Sequence, residues 1–292
     1  MPSTVTVKVP ATSANLGPGF DCLGLALDLW GSITLSLSDG RGEPDPMNTM
    51  AITAARRVYE KLGKEVPQLF AHYEGDIPIA RGLGASAIAR AGALVAANAL
   101  TGDKLEPDHL LAIAASLEGH ADNAAPAIFG GFQVTVSEND SISRASVPLP
   151  RGLSAVLFVP DLRMPTRESR KLLPESLSRD DVVHNSSRTA LLVAAMASGR
   201  FDLLNTATQD KLHQPARSQL FPEMFSIFDA ARDAGAHCAY LSGGGSTICA
   251  LASDNLTGIA DAMAHAATER DITGQTIITK PTAQGATVVE TS

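Results

Sequence analysis

The chain has 292 residues, enough for one large domain or two ordinary ones with a substantial core. Hydrophobic residues make up 45% and charged residues 18%, a globular balance, and the formal net charge of −8 argues against a nucleic-acid binder, which would carry a basic field. Met1–Pro10 lacks a basic stretch followed by an apolar run, nowhere do the ~20 apolar residues of a membrane helix occur, and Cys22, Cys238 and Cys249 form no CxxC; a signal peptide, a membrane span and a disulfide framework are disfavoured, and a reducing, cytoplasmic setting is expected.

Val5, Val7 and Val9 alternate with polar residues, as do Ile33, Leu35 and Leu37, which predicts two half-buried strands. Between them, Pro10-Ala-Thr-Ser-Ala-Asn-Leu-Gly-Pro-Gly-Phe-Asp21 is rich in Gly, Pro and small polar residues and reads as a loop. Residues 48–62 predict a helix stopped at Gly63, with Asn48 either at its N-cap or facing a bound base. A strand through Leu69, Ala71 and Tyr73 leads to Gly75-Asp-Ile-Pro-Ile-Ala-Arg-Gly-Leu-Gly84, then to an alanine-rich helix over 85–100 and a further helix from Pro107 to about Glu118. Gly130-Gly131 precedes a strand with Phe132, Val134 and Val136 on one face, and the polar stretch 137–146 reads as a hairpin or loop.

From Leu153 the pattern changes. A buried strand at 155–159, helices at 180–198, 201–210 and 222–234, strands at 238–241 and 247–251, a helix at 256–269 and a strand at 275–279 give β-α-β-β-α-β, the split βαβ order. The switch near Pro148-Leu-Pro150 places a boundary between residues 1–150 and 151–292, with a wide interface expected between the halves.

The chemistry concentrates in Pro78-Ile-Ala-Arg-Gly-Leu-Gly-Ala-Ser-Ala87, a glycine-rich turn between strand and helix. Gly82 and Gly84 permit positive φ and close approach of a ligand. The amides of Leu83, Gly84, Ala85, Ser86 and Ala87 then lie at a helix N-terminus, which favours an anion. Arg81 adds a cation, and the Ser86 hydroxyl suits either a cap or a metal. The loop is not a Walker A sequence, because no Gly-Lys-Ser/Thr follows, and it lacks the third glycine of a dinucleotide fingerprint.

This segment resembles the second motif of the GHMP kinases, the superfamily of galacto-, homoserine, mevalonate and phosphomevalonate kinases, with Ala85 where that motif usually has a serine. Leu241-Ser-Gly-Gly-Gly-Ser-Thr247 resembles the third motif, with Ser246 where proline is common; its amides, at Gly243 and Gly244 among others, are expected to offer a second anion-friendly surface. Within the superfamily the resemblance is greatest to the branch that phosphorylates homoserine. It is carried by the Pro10–Asp21 segment and by Glu118-Gly-His-Ala-Asp-Asn-Ala-Ala-Pro-Ala-Ile-Phe-Gly-Gly-Phe132, with Ala121 where proline is common.

The resemblance implies an α+β, two-domain fold: an N-terminal α/β domain like domain 2 of ribosomal protein S5, and a C-terminal ferredoxin-like domain. It implies transfer of phosphate from ATP, with Mg²⁺ held by Ser86 and Glu118, to the hydroxyl of L-homoserine on the route to threonine. Asn15 and Asp21 are expected to face the amino acid, Asp21 pairing with its ammonium, and His120 to lie beside it. Thr166, Arg170 and Arg217 match positions that hold the carboxylate, where a planar guanidinium bonds two oxygens at once. Asp122 and Asn123 both fall where the hydroxyl should lie; an aspartate could take its proton, whereas an asparagine could only orient it. Orientation without a dedicated base is expected. Another GHMP kinase, acting on threonine, mevalonate or a sugar, is the nearest rival, and Ala85 with Ser246 keeps open a binding protein without turnover. The sequence leaves the oligomeric state open, a homodimer among the options.

Overall fold

Val5, Val7 and Val9, all fully buried, sit on one face of β1 (Thr4–Ala14), as their period of two requires. β1 pairs antiparallel with β2 (Leu23–Ser36) along its whole length. The structure, a computed structural model, describes residues 2–37, 45–138 and 141–292, apart from the side chain of Thr166. The stretch expected to be a loop from Pro10 is therefore strand as far as Ala14, and the turn shrinks to residues 15–22. Pro10 is tolerated because the register of β1 on β2 shifts between Pro10 and Ala11, where a missing N–H leaves no regular ladder position empty.

Helix α1 (Pro46–Lys61) is capped by Asp45, whose carboxylate accepts from the amides of Met47 and Asn48. The Asn48 side chain accepts through Oδ1 from the Tyr73 amide at 2.9 Å, fixing α1 to β3 (Phe70–Glu74), so Asn48 is not the N-cap. α2 (Ala85–Thr101) and α3 (Pro107–Glu118) end at Gly102 and Gly119, both left-handed, as glycine allows. The short α4 (Ala124–Phe129) leads into the hairpin of β4 (Phe132–Glu138) and β5 (Ser141–Val147), whose turn residues 139 and 140 lie outside the description.

The second half contains β6 (Ser154–Pro160), α5 (Thr166–Arg170), α6 (Arg179–Ser198), a 3₁₀ turn at Phe201–Leu203, α7 (Leu204–Ala207), α8 (His213–Arg217) and α9 (Met224–Asp233). β7 (Cys238–Leu241), β8 (Ile248–Ala252), α10 (Leu256–Thr268), β9 (Gly274–Thr279) and β10 (Thr287–Thr291) complete it. The helix expected over 201–210 is only this turn and α7, because Asp210 begins a new element: its carboxylate accepts from the amides of Leu212, His213 and Gln214. The antiparallel order β7-β8-β6-β9 is that of a split βαβ sheet, as the sequence predicted.

Six strands form the other sheet, β10-β1-β2-β4-β5 with β3 also on β2, so the C-terminal strand crosses back to pair with the N-terminal one. One core cluster runs through both halves, and a second lies in the C-terminal half. Ala155, Leu157 and Val159 of β6 join the cluster that contains the valines of β1, while Val156 and Phe158 face α9 and α10. Burial on both faces explains the unbroken apolar run of β6. No described helix is long and apolar enough to cross a membrane.

Candidate active site

Where the halves meet, a cleft of about 550 Å³ is lined by the turn before α2, the ends of α3 and α5, and the glycine loop between β7 and β8. Gly82 and Gly84 hold φ of +79° and +70°. A Cβ on Gly82 would lie 2.1 Å from the Ser242 carbonyl oxygen, and one on Gly84 2.0 Å from the Thr12 hydroxyl, so the turn must be glycine. Gly84 is the N-cap of α2 without a side-chain bond; Ser86 is therefore not the cap, and it lines the cleft. Ala85 lines the cleft as well. Ala87 is 1% exposed in the core and offers only its backbone, and Pro78 is not among the lining residues. Arg81 lines the cleft but donates to the Pro160 carbonyl, which ties the turn to β6.

The loop after β7 differs from expectation. The amides of Ser242, Gly243, Gly245 and Thr247 all bond to carbonyls, of Thr247, Ala14, Ser242 and Arg81 respectively, so among the described residues only the Gly244 and Ser246 amides of this loop have no backbone acceptor. What the loop contributes is a carbonyl: Gly243 O accepts from Asn15 Nδ2 at 2.8 Å and from Arg217 at 3.0 Å. The Ser242 hydroxyl bridges Ser13 Oγ and the Gly82 carbonyl, at 2.8 and 2.6 Å, and so locks this loop against the turn before α2.

Asp21 and Arg170 form a two-point ion pair, with one contact at 2.9 Å between Arg170 Nη1 and Asp21 Oδ2. Asn15 accepts from the Asp21 amide at 3.1 Å. Burial pulls the Arg170 pKa down, but the bond to Asp21 and its charge outweigh this and raise it. Arg217 is 1% exposed, its Nε has no hydrogen-bond partner among the described residues, and burial followed by repulsion from Arg170 brings its pKa down to about 10. The Phe20 ring lies beneath both guanidiniums, 5.0 Å from Arg170 and 5.5 Å from Arg217. Thr166 opens α5, its side chain outside the description.

His120 Nδ1 lies 2.5 Å from Asp122 Oδ1. Burial lowers the His120 pKa, but the bond to Asp122 and its charge raise it further, leaving a net increase. The same Asp122 oxygen accepts from the Asn123 amide N–H at 2.9 Å and lies 3.4 Å from Asn123 Nδ2. Because a carboxylate only accepts, the nitrogen of the Asn123 side chain must face Asp122, and its Oδ1 accepts from the Thr12 hydroxyl at 2.8 Å. Asp122 is thus a pin for its neighbours, and Asn123 is held from two sides. Asp21, His120 and Asp122 present their polar atoms within 4.8 Å of one another, an acidic corner that meets Arg170 through Asp21. Glu118, at the end of α3 with 4% of its side chain exposed, accepts from Arg90 at 2.6 Å, and Arg90 lies one turn beyond Ser86 on α2. Thr12, Phe20, Arg90 and His213 were not singled out from sequence. Thr12 and Phe20 lie inside the Pro10–Asp21 segment but carry no charge to mark them.

The chain matches the family of GHMP kinases N terminal domain over residues 49–131 and that of GHMP kinases C terminal over residues 192–268. It belongs to the GHMP kinases, as fold and cleft together define. Among its curated relatives, a homoserine kinase of Moorella thermoacetica is 41% identical over 293 residues, covering 97% of this chain and 99% of the relative. One from Desulfitobacterium hafniense is 38% identical over 296 residues, covering 98% and 100%. A solved homoserine kinase from Cytophaga hutchinsonii superposes with a TM-score of 0.88 at 30% identity, covering 99% of this chain and 98% of that one. Mevalonate diphosphate decarboxylase from Staphylococcus aureus, at 16% identity and a TM-score of 0.74, shares the fold.

Proposed function

We propose that this chain transfers the γ-phosphoryl group of ATP to the side-chain hydroxyl of L-homoserine, giving O-phospho-L-homoserine and ADP, a step toward threonine. The observation that carries the choice of substrate is the pairing of opposite charges across one cleft. Arg217 is a buried cation whose hydrogen-bond acceptors among the described residues are His213 and the Gly243 carbonyl, neither of them a carboxylate, and Asp21, His120 and Asp122 form an acidic corner beside it. A zwitterion matches both. Mevalonate has no ammonium for the acidic corner, and a sugar has no carboxylate for the arginines. Homoserine kinases among the relatives, matched over nearly the full length, support the same reading.

In this reading Arg217 and Arg170 take the substrate carboxylate and Asp21 its ammonium, which brings the terminal hydroxyl toward Asn123. The amide of Asn123, fixed by Thr12 and Asp122, orients that hydroxyl toward the turn before α2. The N-terminal amides of α2 and the Gly244 amide neutralise phosphate charge as it moves. The hydroxyl oxygen bonds to the γ-phosphorus, the bond to the β-phosphate bridging oxygen breaks, and the hydroxyl proton leaves with the transferred phosphoryl oxygens. Positioning and charge stabilisation suffice for such a transfer, so we assign no dedicated base. Ser86 and Glu118 fit Mg²⁺: both offer oxygen ligands and line the cleft, and Arg90 bonds to Oε1 of Glu118. Bound there, the ion would neutralise phosphate charge. We place the reaction in the cytoplasm, in keeping with three free cysteines.

The test is ADP release from MgATP with L-homoserine, L-threonine, mevalonate and a sugar panel. Turnover confined to homoserine supports the proposal; turnover confined to another acceptor, or none at all, defeats it.

A further inference from the structure

Arg217 is held from behind by an imidazole rather than by a carboxylate. His213 opens α8 one turn before Arg217 and is fully buried. Its Nε2 lies 2.8 Å from the Gly17 carbonyl oxygen, and its Nδ1 lies 2.8 Å from Arg217 Nη1. A carbonyl only accepts and a guanidinium only donates, so the two partners decide the tautomer between them: the proton is on Nε2 and the lone pair on Nδ1. A second proton on this ring would set an N–H against the guanidinium. The ring is therefore neutral, and Asp210, whose Oδ2 lies 3.6 Å from Nε2, is engaged by the amides at the start of α8.

We infer that His213 is a positioning residue that aims the Arg217 guanidinium at the carboxylate of the acceptor substrate without neutralising it. The inference rests on the substrate reading above. A carboxylate in this place would pair with Arg217 and compete with the substrate for its charge. An imidazole and the Gly243 carbonyl, both uncharged, orient one end of the fork and leave the positive charge for the ligand. Through Gly17 the same ring grips the turn that carries Asn15 and Asp21, so the carboxylate and ammonium sides of the site share one anchor. The Phe20 ring, 5.6 Å from the imidazole centroid, closes the fourth side. The sequence marks His213 only by its place three residues after Asp210 and four before Arg217, spacing that has no meaning until α8 is seen as a helix.

The experiment compares wild type with His213→Gln, His213→Leu and His213→Asn in steady-state kinetics. L-homoserine and its carboxylate-free analogue 2-aminobutane-1,4-diol serve as acceptors. Asparagine places its Oδ1 where Nδ1 was and keeps an acceptor for Arg217; glutamine and leucine do not. The expected result is a homoserine KM raised tenfold or more in the Gln and Leu variants and mostly restored in the Asn variant. The MgATP KM should stay within twofold throughout, and the aminodiol should respond by less than threefold. If the Leu variant does not fold, the contrast of Gln with Asn decides. Equal homoserine KM in the Gln and Asn variants, or equal losses for both acceptors, would overturn the positioning role. A wild-type enzyme inert toward homoserine would overturn the substrate reading and this inference with it.

Discussion

Asp21 and Arg170 lie 149 residues apart in the chain and meet as a two-point ion pair, of which Arg170 lines the cleft. Each side chain is about one-third exposed, at 34% and 32%, so the pair contributes at most ~1 kcal/mol to stability. A weak pair can open for a zwitterion that offers each partner a replacement: ammonium to Asp21, carboxylate to Arg170. Asp21→Asn should raise the homoserine KM about 10- to 100-fold, the range expected when a charged hydrogen bond of ~1.5–3 kcal/mol is lost. The MgATP KM should stay within twofold and thermal stability should barely move. Steady-state kinetics with each substrate varied in turn checks this.

Thr12→Val keeps the shape of the side chain and removes the hydrogen bond to Asn123 Oδ1. With one side of its support gone, Asn123 should orient the hydroxyl less well. The expected outcome is a kcat lowered about 5- to 10-fold, matching ~1 kcal/mol, with both KM values nearly unchanged. Thr12→Ser should recover most of the rate. A loss expressed in KM alone would argue against the orienting role.

Glu118→Gln leaves Arg90 a hydrogen-bond acceptor but removes the charge that Mg²⁺ would meet. The Mg²⁺ concentration for half-maximal rate should rise about tenfold, a change of ~1.4 kcal/mol. Titration of activity with Mg²⁺ at fixed ATP measures it. An unchanged midpoint would confine Glu118 to its ion pair.

Burial first, with Arg217 adding to it, lowers His213 from an ordinary pKa of 6.5 to about 4, against the opposing pull of Asp210 and Asp21. The unfolded chain therefore binds this proton more readily than the folded one. Its neutral ring costs nothing above about pH 6.5, and stability falls as pH drops from there to about 4, by on the order of 3 kcal/mol. Urea unfolding between pH 7 and 4 should show this decline, and His213→Asn should lack that share of it.

Ala85 replaces a serine of the usual motif but keeps its amide at the N-terminus of α2. It lines the cleft at 6% exposure. Ala85→Ser should therefore lower the MgATP KM by no more than about threefold, one hydroxyl adding roughly 0.5 kcal/mol. A larger gain would mean that the turn depends on that hydroxyl more than on its backbone.

The fold was legible wherever burial is one-sided or complete. Val5, Val7 and Val9 announced β1, and the unbroken run of β6 announced a strand covered on both faces. Local pattern could not reveal β10, whose five residues are exposed and whose partner β1 lies at the other end of the chain. Nor could it reveal α5 and α8, too short for a helical period to show. Within the site, Gly82 and Gly84 were readable because their positive φ demands glycine. The loop between β7 and β8 misled because free amides in a glycine run look available until Ala14 and Arg81 are seen to accept them. Charge made Asp21, Arg170 and Arg217 visible. Thr12 and His213 act through bonds to other side chains, and such a bond leaves no mark on a sequence.

The most direct test of the account is the product itself. Incubation with MgATP and L-homoserine, followed by ³¹P NMR, should show O-phospho-L-homoserine appearing in step with ADP. Mevalonate should give no phosphorylated product, and Arg217→Met should need a much higher homoserine concentration to reach the same rate. ADP release without a phosphorylated amino acid, or faster phosphorylation of mevalonate or a sugar than of homoserine, would contradict it.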